Sequence, residues 1–568
     1  MSLYDKVRYY AGLPFLAKTR AQARRFMASC RDAERVQRDL LLARVARHAD
    51  SQFGRDHHFG EIRTEADFRR RVPVGDYTRH EPYIDRVRNG ETNALFGPGT
   101  DVLMFALSSG TTNRPKTIPV TRESLDNYRD GWTTWGIMAF DAHPAILADG
   151  LMPILQLASD WRESFTPAGI PCGAITGLTA QMQNPLVRIT YCMPPAASRI
   201  KDIASKYYLA MRLSMGRRVG ATIAANPSTI LAIVRLGDRE KEGLIRDIAD
   251  GTVSDRWEIP ADVRAAVRIR TRWKRRQAAR RLEAIANRTG RLLPKDYWPD
   301  FQFLANWTGG TMGAYLAGYP EFFGERPVRD VGLVASEGRF TIPIADGTPA
   351  GILDIQHHYF EFIPEDQGDR DEPETVRAAD LVEGRNYYLV PTTAGGLYRY
   401  MIHDLVRCVG FEGRAPLVEF LSKGAHFSSL TGEKLSEYQV VLAVNAAQRA
   451  LGIRLGAYLA LPRWGEPPHY HLLVEEGDVP ADGADRLAGE VERQLQLANL
   501  EYENKRSTLR LGPIRTTRIV DGSWAAFQRR RLAKSGGTVE QYKQPCLLSD
   551  LTALDSFLGQ AAPATRDA

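Results

Sequence analysis

The apolar positions change their period along the chain. From Met1 to Arg31, bases alternate with apolar residues at helical spacing, which predicts an amphipathic helix rather than the apolar core of an export signal. Residues 1–95 read mostly as helix followed by loop, with breaks at Val72-Pro73-Val74-Gly75 and Phe96-Gly97-Pro98-Gly99. Residues 100–200 mix short apolar runs with Gly and Pro, as α/β loops do, and residues 200–290 return to a helical period. Residues 326–425 are strand-rich. Gly351–Ile363 and Asn386–Val390 carry aromatic and β-branched residues around the acidic stretch Glu365–Glu374, a surface excursion. Beyond Leu421–Gly432, where Ser and Gly accumulate, the pattern predicts helix (about 436–450), strand (about 455–462), strand (about 468–475), helix (about 484–498), strand (about 514–520) and helix (about 521–532). The fold expected is α/β, with a large domain over 1–425, a hinge at about 421–436 and a small mobile α+β domain over 426–568.

Composition narrows the class. The 568 residues are 43% hydrophobic and 25% charged, proportions of a globular chain with a sizeable core. No apolar run reaches the length of a membrane-crossing helix, so no membrane partner is expected. Cys30, Cys172, Cys192, Cys408 and Cys546 are far apart and form no C-x-x-C pair. A disulfide scaffold or cysteine zinc site is thereby disfavoured, and a cytoplasmic location is expected. The net charge of +7 is local: nine bases and no acid fall between Arg264 and Arg281. With Ala278, Leu282 and Ile285 continuing a helical period, this reads as one basic, solvated helix. Without a zinc finger or RNA-binding motif beside it, no nucleic-acid partner is expected.

The chemistry concentrates at Met104-Phe-Ala-Leu-Ser-Ser-Gly-Thr-Thr-Asn-Arg-Pro-Lys-Thr-Ile-Pro119. An apolar strand feeds Ser108, Ser109, Gly110, Thr111 and Thr112, which offer hydroxyls and backbone N–H groups to one anion, and Lys116 adds a cation. The P-loop template nearly fits Gly110 to Thr117, but Pro115 stands at its second glycine and removes a donor. The adenylate-forming loop S-S-G-T-T-x-x-P-K expects that proline. For Thr117, the solvent face of a strand is an equally good reading.

The segment resembles the acyl-adenylate-forming superfamily. Val331-Gly-Leu-Val-Ala-Ser-Glu-Gly338 and Leu397-Tyr-Arg-Tyr-Met-Ile-His-Asp-Leu-Val-Arg-Cys-Val-Gly-Phe411 resemble the second and third motifs of the auxin-responsive acyl-acid amido synthetases, the Gretchen Hagen family. Val72–Tyr77, Pro82–Arg86, Trp307–Tyr315 and Gln541–Pro545 agree, so the likeness runs from about residue 35 to 548. It implies a large adenylate-forming domain of mixed sheets, with a β-barrel-like part and packed helices, followed by the small domain.

The resemblance also implies roles. Ser108, Ser109, Gly110, Thr111, Thr112 and Lys116 would hold the triphosphate of ATP, and Ala335 and Ser336 would border the adenine. Glu337 would hold Mg2+, which prefers oxygen ligands. Asp404 would take the ribose hydroxyls, although His403 stands where the family has glycine, so that turn is either rebuilt or lends His403 to the nucleotide. Lys434, in the hinge, and Lys543, near the C-terminus, would be the catalytic lysines. Arg399 is open to a carboxylate, to Asp404 or to a structural salt bridge. His57-His58, His357-His358 and His469-x-His471 lack a third ligand at plausible spacing, and no G-x-S-x-G elbow supports a hydrolase.

The activity implied is a two-step ligation: acid and MgATP give an acyl-adenylate, and an amino acid then takes the acyl group as an amide. The acid's pocket is expected around Trp132, Trp135, Met138, Trp161 and Phe165, with Arg129 or Arg162 for its carboxylate. The partners are thus a small carboxylic acid and an amino acid, and a monomer is expected. The competing readings are an acyl-CoA synthetase, or a nucleotide- or nucleic-acid-binding protein with a decayed ligase site.

Overall fold

The computed structural model describes residues 3–108, 116–148, 150–309, 312–367, 370, 372–423, 427–527 and 546–558. The chain divides into two compact units, a larger one of residues 1–108 and 117–421 and a smaller one that holds residues 422–568.

The larger unit holds three main sheets. In the first, the strands run in the order Lys116–Thr121, Val102–Ser108, Pro171–Gly173, Ser164–Phe165. Met104, Phe105 and Ala106 are buried in it, so the strand that leads to the hydroxyl-rich loop is a fixed core element. Thr121 ends that sheet's edge strand and caps the long helix Arg122–Ala142 by accepting from the Ser124 N–H at 3.0 Å. The second sheet is parallel throughout: Ile154–Gln156, Ala221–Ile223, Phe303–Ala305, Val328–Arg329. The third has seven strands, including the antiparallel neighbours Tyr359–Pro364, Asn386–Thr392 and Asp404–Glu412. One core, from Phe26 to Val418, underlies them.

The smaller unit is a three-stranded sheet, Tyr458–Arg463, His469–Glu475 and Arg515–Ile519, whose first pair is antiparallel and second parallel. Helices Glu437–Leu451 and Ala484–Ala498 pack against each other, and Val440, Val444, Leu487, Val491 and Leu495 line its separate core.

The basic stretch departs from the expected single helix. Helix Ala261–Thr271 ends, and Arg276–Thr289 starts anew. The Arg275 N–H bonds the Ile248 carbonyl at 3.0 Å, a tertiary anchor that turns the chain without Gly or Pro. Nor are all nine bases solvated charge. Arg264, Arg270, Arg275 and Arg281 donate to backbone carbonyls, Arg270 to those of Tyr191 and Cys192 at 2.7 and 2.9 Å. Among the described residues no helix is long and apolar enough to cross a membrane.

Candidate functional site

Three separated segments converge in the larger unit. Val334–Ala335 and Gly338–Arg339 pair antiparallel, so Ser336 and Glu337 form the tip of a tight hairpin. The Phe340 N–H to Leu333 carbonyl bond of 2.7 Å closes its base. Ser336 Oγ donates to the Leu107 carbonyl at 3.1 Å, which fixes the tip against the residue before Ser108. Tyr400 Oη donates to Glu337 Oε1 at 3.5 Å and brings in the third segment. Gly338 is required by close approach, since a Cβ there would lie 2.7 Å from His358 Cε1.

The third segment is held by its neighbours. Gly75 and Tyr400 form a bridge, with the Met401 N–H donating to the Gly75 carbonyl at 2.8 Å. Arg399 does not turn to Asp404. Its guanidinium grips the fully buried Glu361 at 2.9 and 3.2 Å and donates to the carbonyls of Arg69 and Val72. Arg399 is therefore a structural clamp. His403 keeps the left-handed backbone that glycine would take (φ 62°), so the turn is not rebuilt. Asp404 follows, buried, as the first residue of its strand.

Of the residues expected to form the phosphate loop, Ser109, Gly110, Thr111 and Thr112 lie outside the described residues, as does the side chain of Ser108. Lys116 opens its strand, half-buried. Thr117 does not face solvent. It is buried, and its N–H donates to Tyr77 Oη at 3.1 Å. Ala335 and Ser336 are half-buried.

Glu337 is the one carboxylate at the hairpin tip, and among the described residues no three His, Cys, Asp or Glu side chains cluster as a metal site. A single carboxylate suits Mg2+, which keeps waters and takes its other ligands from phosphates.

Beside the hairpin lies a cavity of about 900 Å³. Its lining includes Arg129, Trp132 and Trp135 of helix Arg122–Ala142, together with Gln156 and Ile223 at the carboxyl ends of two parallel strands, where α/β sheets bind ligands. Arg162, Met138, Trp161 and Phe165 are not among its lining residues. Arg162 is exposed and stacks on Trp161 at 4.3 Å. Trp135 is buried, its Nε1 donating to the Asp330 carbonyl at 2.8 Å. Trp132 stands edge-on to Trp135 (5.1 Å) and is covered by the Arg339 guanidinium at 4.1 Å.

Arg339 and Asp330 carry no motif signal. Arg339 is buried, two residues after Glu337, with Nε and Nη2 lacking hydrogen-bond partners; burial pulls it down to about 10. It ties the cavity wall to the hairpin. Burial raises Asp330 to about 6, opposed by bonds from the N–H groups of Thr308 and Gly332 (each 2.6 Å). Through Thr308 it orders the start of the Trp307–Tyr315 stretch.

In the smaller unit, Lys434 has a left-handed backbone (φ 48°) and is half-buried. The preceding Glu433, fully buried, sets its loop. The carboxylate accepts from the Leu430 and Thr431 N–H groups at 2.6 and 2.7 Å and from Tyr470 Oη. Lys543 lies outside the described residues.

Comparison with known proteins agrees with this frame. The chain matches the GH3 family N-terminal domain over residues 22–328, the GH3 family central domain over 351–423 and the GH3 family C-terminal domain over 438–552. It is 27% identical to a probable indole-3-acetic acid-amido synthetase, GH3.4, of Oryza sativa subsp. japonica, covering 91% of this chain and 86% of that protein. It is 25% identical to the jasmonoyl–L-amino acid synthetase GH3.5 of the same organism, covering 91% and 92%. Its fold is that of the AtGH3.15 acyl acid amido synthetase in complex with 2,4-DB, with a TM-score of 0.66 at 22% identity and 97% of each chain covered.

Proposed function

The chain belongs to the GH3 family, and on that premise we propose that it is an ATP-dependent acyl-acid amido synthetase. Its relatives are named for joining acids such as indole-3-acetic acid and jasmonate to amino acids. One observation carries the reading for this chain: the Ser336–Leu107 hydrogen bond of 3.1 Å, which gathers the second motif onto the strand leading into the first.

The chemistry follows from leaving groups. An acid oxygen attacks the α-phosphorus of ATP, the bond to pyrophosphate breaks, and an acyl-adenylate results. An amine then attacks the acyl carbon and AMP leaves, far more readily than a carboxylate oxygen would. Ser108, Ser109, Gly110, Thr111, Thr112 and Lys116 hold the phosphate tail, where negative charge builds. Ala335 and Ser336 border the base, and Asp404 takes the ribose hydroxyls. Glu337 holds Mg2+, which when bound neutralises phosphate charge. The acid occupies the 900 Å³ cavity, lined by Trp132, Trp135 and Arg129. Arg162 drops out of that assignment because it stacks, exposed, on Trp161. Lys434 and Lys543 are the proposed catalytic lysines, serving the α-phosphate as the smaller domain, 426–568, moves between the steps. A cytoplasmic location is part of the proposal; the five cysteines are free thiols.

The direct test is product identification. Incubation with MgATP, a panel of aromatic, indole and fatty acids and the amino acids should yield an amide conjugate and AMP by mass spectrometry. A coenzyme A thioester as the sole product would replace the amide reading.

A further inference from the structure

The cavity proposed for the acid contains a cation that the two-step chemistry leaves unused. Lys206, in the helix Ile203–Ser214, lines it and is only 7% exposed. Its ammonium has three N–H donors, and among the described residues its one hydrogen bond goes to the Ser198 carbonyl at 3.2 Å. Asp160 and Glu163 act on it through space, and no ion pair closes on it among the described residues. Burial pulls it below the ordinary lysine value, with Asp160 and Glu163 pulling the other way. Arg188, half-buried in the same lining, adds another cation, besides Lys18 and Arg129.

The position separates Lys206 from the reacting end. Helix Arg122–Ala142, carrying Trp132, packs against the hairpin strand Gly338–Arg339 beside Glu337. The helix that carries Lys206 packs instead against Pro227–Arg239 and Lys241–Asp250. The cavity thus runs from the hairpin side to a helical layer that bears a buried cation.

Resting on the acid-pocket reading, we infer that Lys206 is a specificity-determining residue that binds a second carboxylate, distinct from the one activated. Two substrates could bring it: a dicarboxylic acid, or the amino-acid acceptor through its α-carboxylate. A charge-assisted bond is worth about tenfold or more in affinity.

The experiment uses the full chain as wild type, Lys206→Met and Lys206→Arg, with matched substrate pairs. Linear dicarboxylates are compared with their monomethyl esters in acid-dependent pyrophosphate exchange, where no amine is present. Amino acids are compared with their amides in conjugation. The wild type should favour the free carboxylate in one pair by about tenfold or more in KM. Lys206→Met should bring that ratio towards one and Lys206→Arg should keep it, with melting temperatures reporting the fold. A wild type indifferent in both pairs, or a Lys206→Met that weakens both members of a pair equally, overturns the inference. If the wild type shows no exchange with any acid, the ligase reading is what fails. Calorimetric titration of the same pairs, which needs no turnover, then decides Lys206: a free-carboxylate preference lost in Lys206→Met upholds it, and no preference ends it.

Discussion

Ser336 Oγ donates a 3.1 Å hydrogen bond to the carbonyl of Leu107, across 229 residues of chain. It joins a hairpin tip to the end of a buried strand, so the position of Glu337 is set from the strand Val102–Ser108. Ser336→Ala removes the donor and leaves a carbonyl unsatisfied, at a cost of about 1 kcal/mol in stability. The adenylation rate should fall at least about tenfold, because misplacement at the reacting centre costs more than the bond itself. Denaturant melts and kcat/KM for ATP read the two effects separately.

Glu337→Gln keeps the shape and the Tyr400 contact but removes the charge proposed to hold Mg2+. Adenylation should drop about 100-fold or more, and the Mg2+ concentration for half-maximal rate should rise. A magnesium titration of the variant against wild type checks both.

His80 is one of several buried histidines, with His48 and His358, whose lowered pKa makes stability depend on pH. It is fully buried, its Nε2 accepting from the Tyr398 N–H at 3.0 Å, and burial pulls it down to about 4 from 6.5. Below pH 6.5 the unfolded chain takes up a proton that the folded chain refuses. Stability is therefore full above pH 6.5 and is lost as pH falls towards 4, by about 3 kcal/mol for this group. The melting temperature should fall over that window, and His80→Gln should make the fall shallower by this group's share.

Glu433 governs the loop that carries Lys434. Glu433→Ala removes the carboxylate that accepts from the N–H groups of Leu430 and Thr431 and from the Tyr470 hydroxyl, which keeps Ser428 Oγ, and should destabilise the smaller unit by about 3 kcal/mol. Hydrogen exchange at residues 430–434 should accelerate while the larger unit's core stays protected.

His403→Gly removes a side chain held at φ 62° and should stabilise the protein by up to about 1 kcal/mol. If His403 contacts the nucleotide, KM for ATP rises with it; if the residue only tolerates the turn, KM stays within twofold.

What the sequence made legible follows from the range of the forces involved. The smaller unit's helices and strands could be read because period and flanking turns are local signals; the helix expected over about 484–498 is Ala484–Ala498. The motif segments could be read because the binding proposed for them, of a triphosphate, demands small hydroxyl residues in sequence. Tertiary partners could not. Nothing near Arg399 names Glu361, 38 residues earlier, nor does anything near Arg275 name the Ile248 carbonyl that splits the basic helix. Lys206 looks like any helical lysine until the cavity closes around it.

The most direct measurement is acid-dependent exchange of labelled pyrophosphate into ATP, with wild type and Glu337→Gln side by side. Label should enter ATP only when a suitable carboxylic acid is present, and the variant should lose that exchange. Active protein that binds ATP yet exchanges no label with any acid in a broad aromatic, indole and fatty-acid panel would contradict the adenylating ligase.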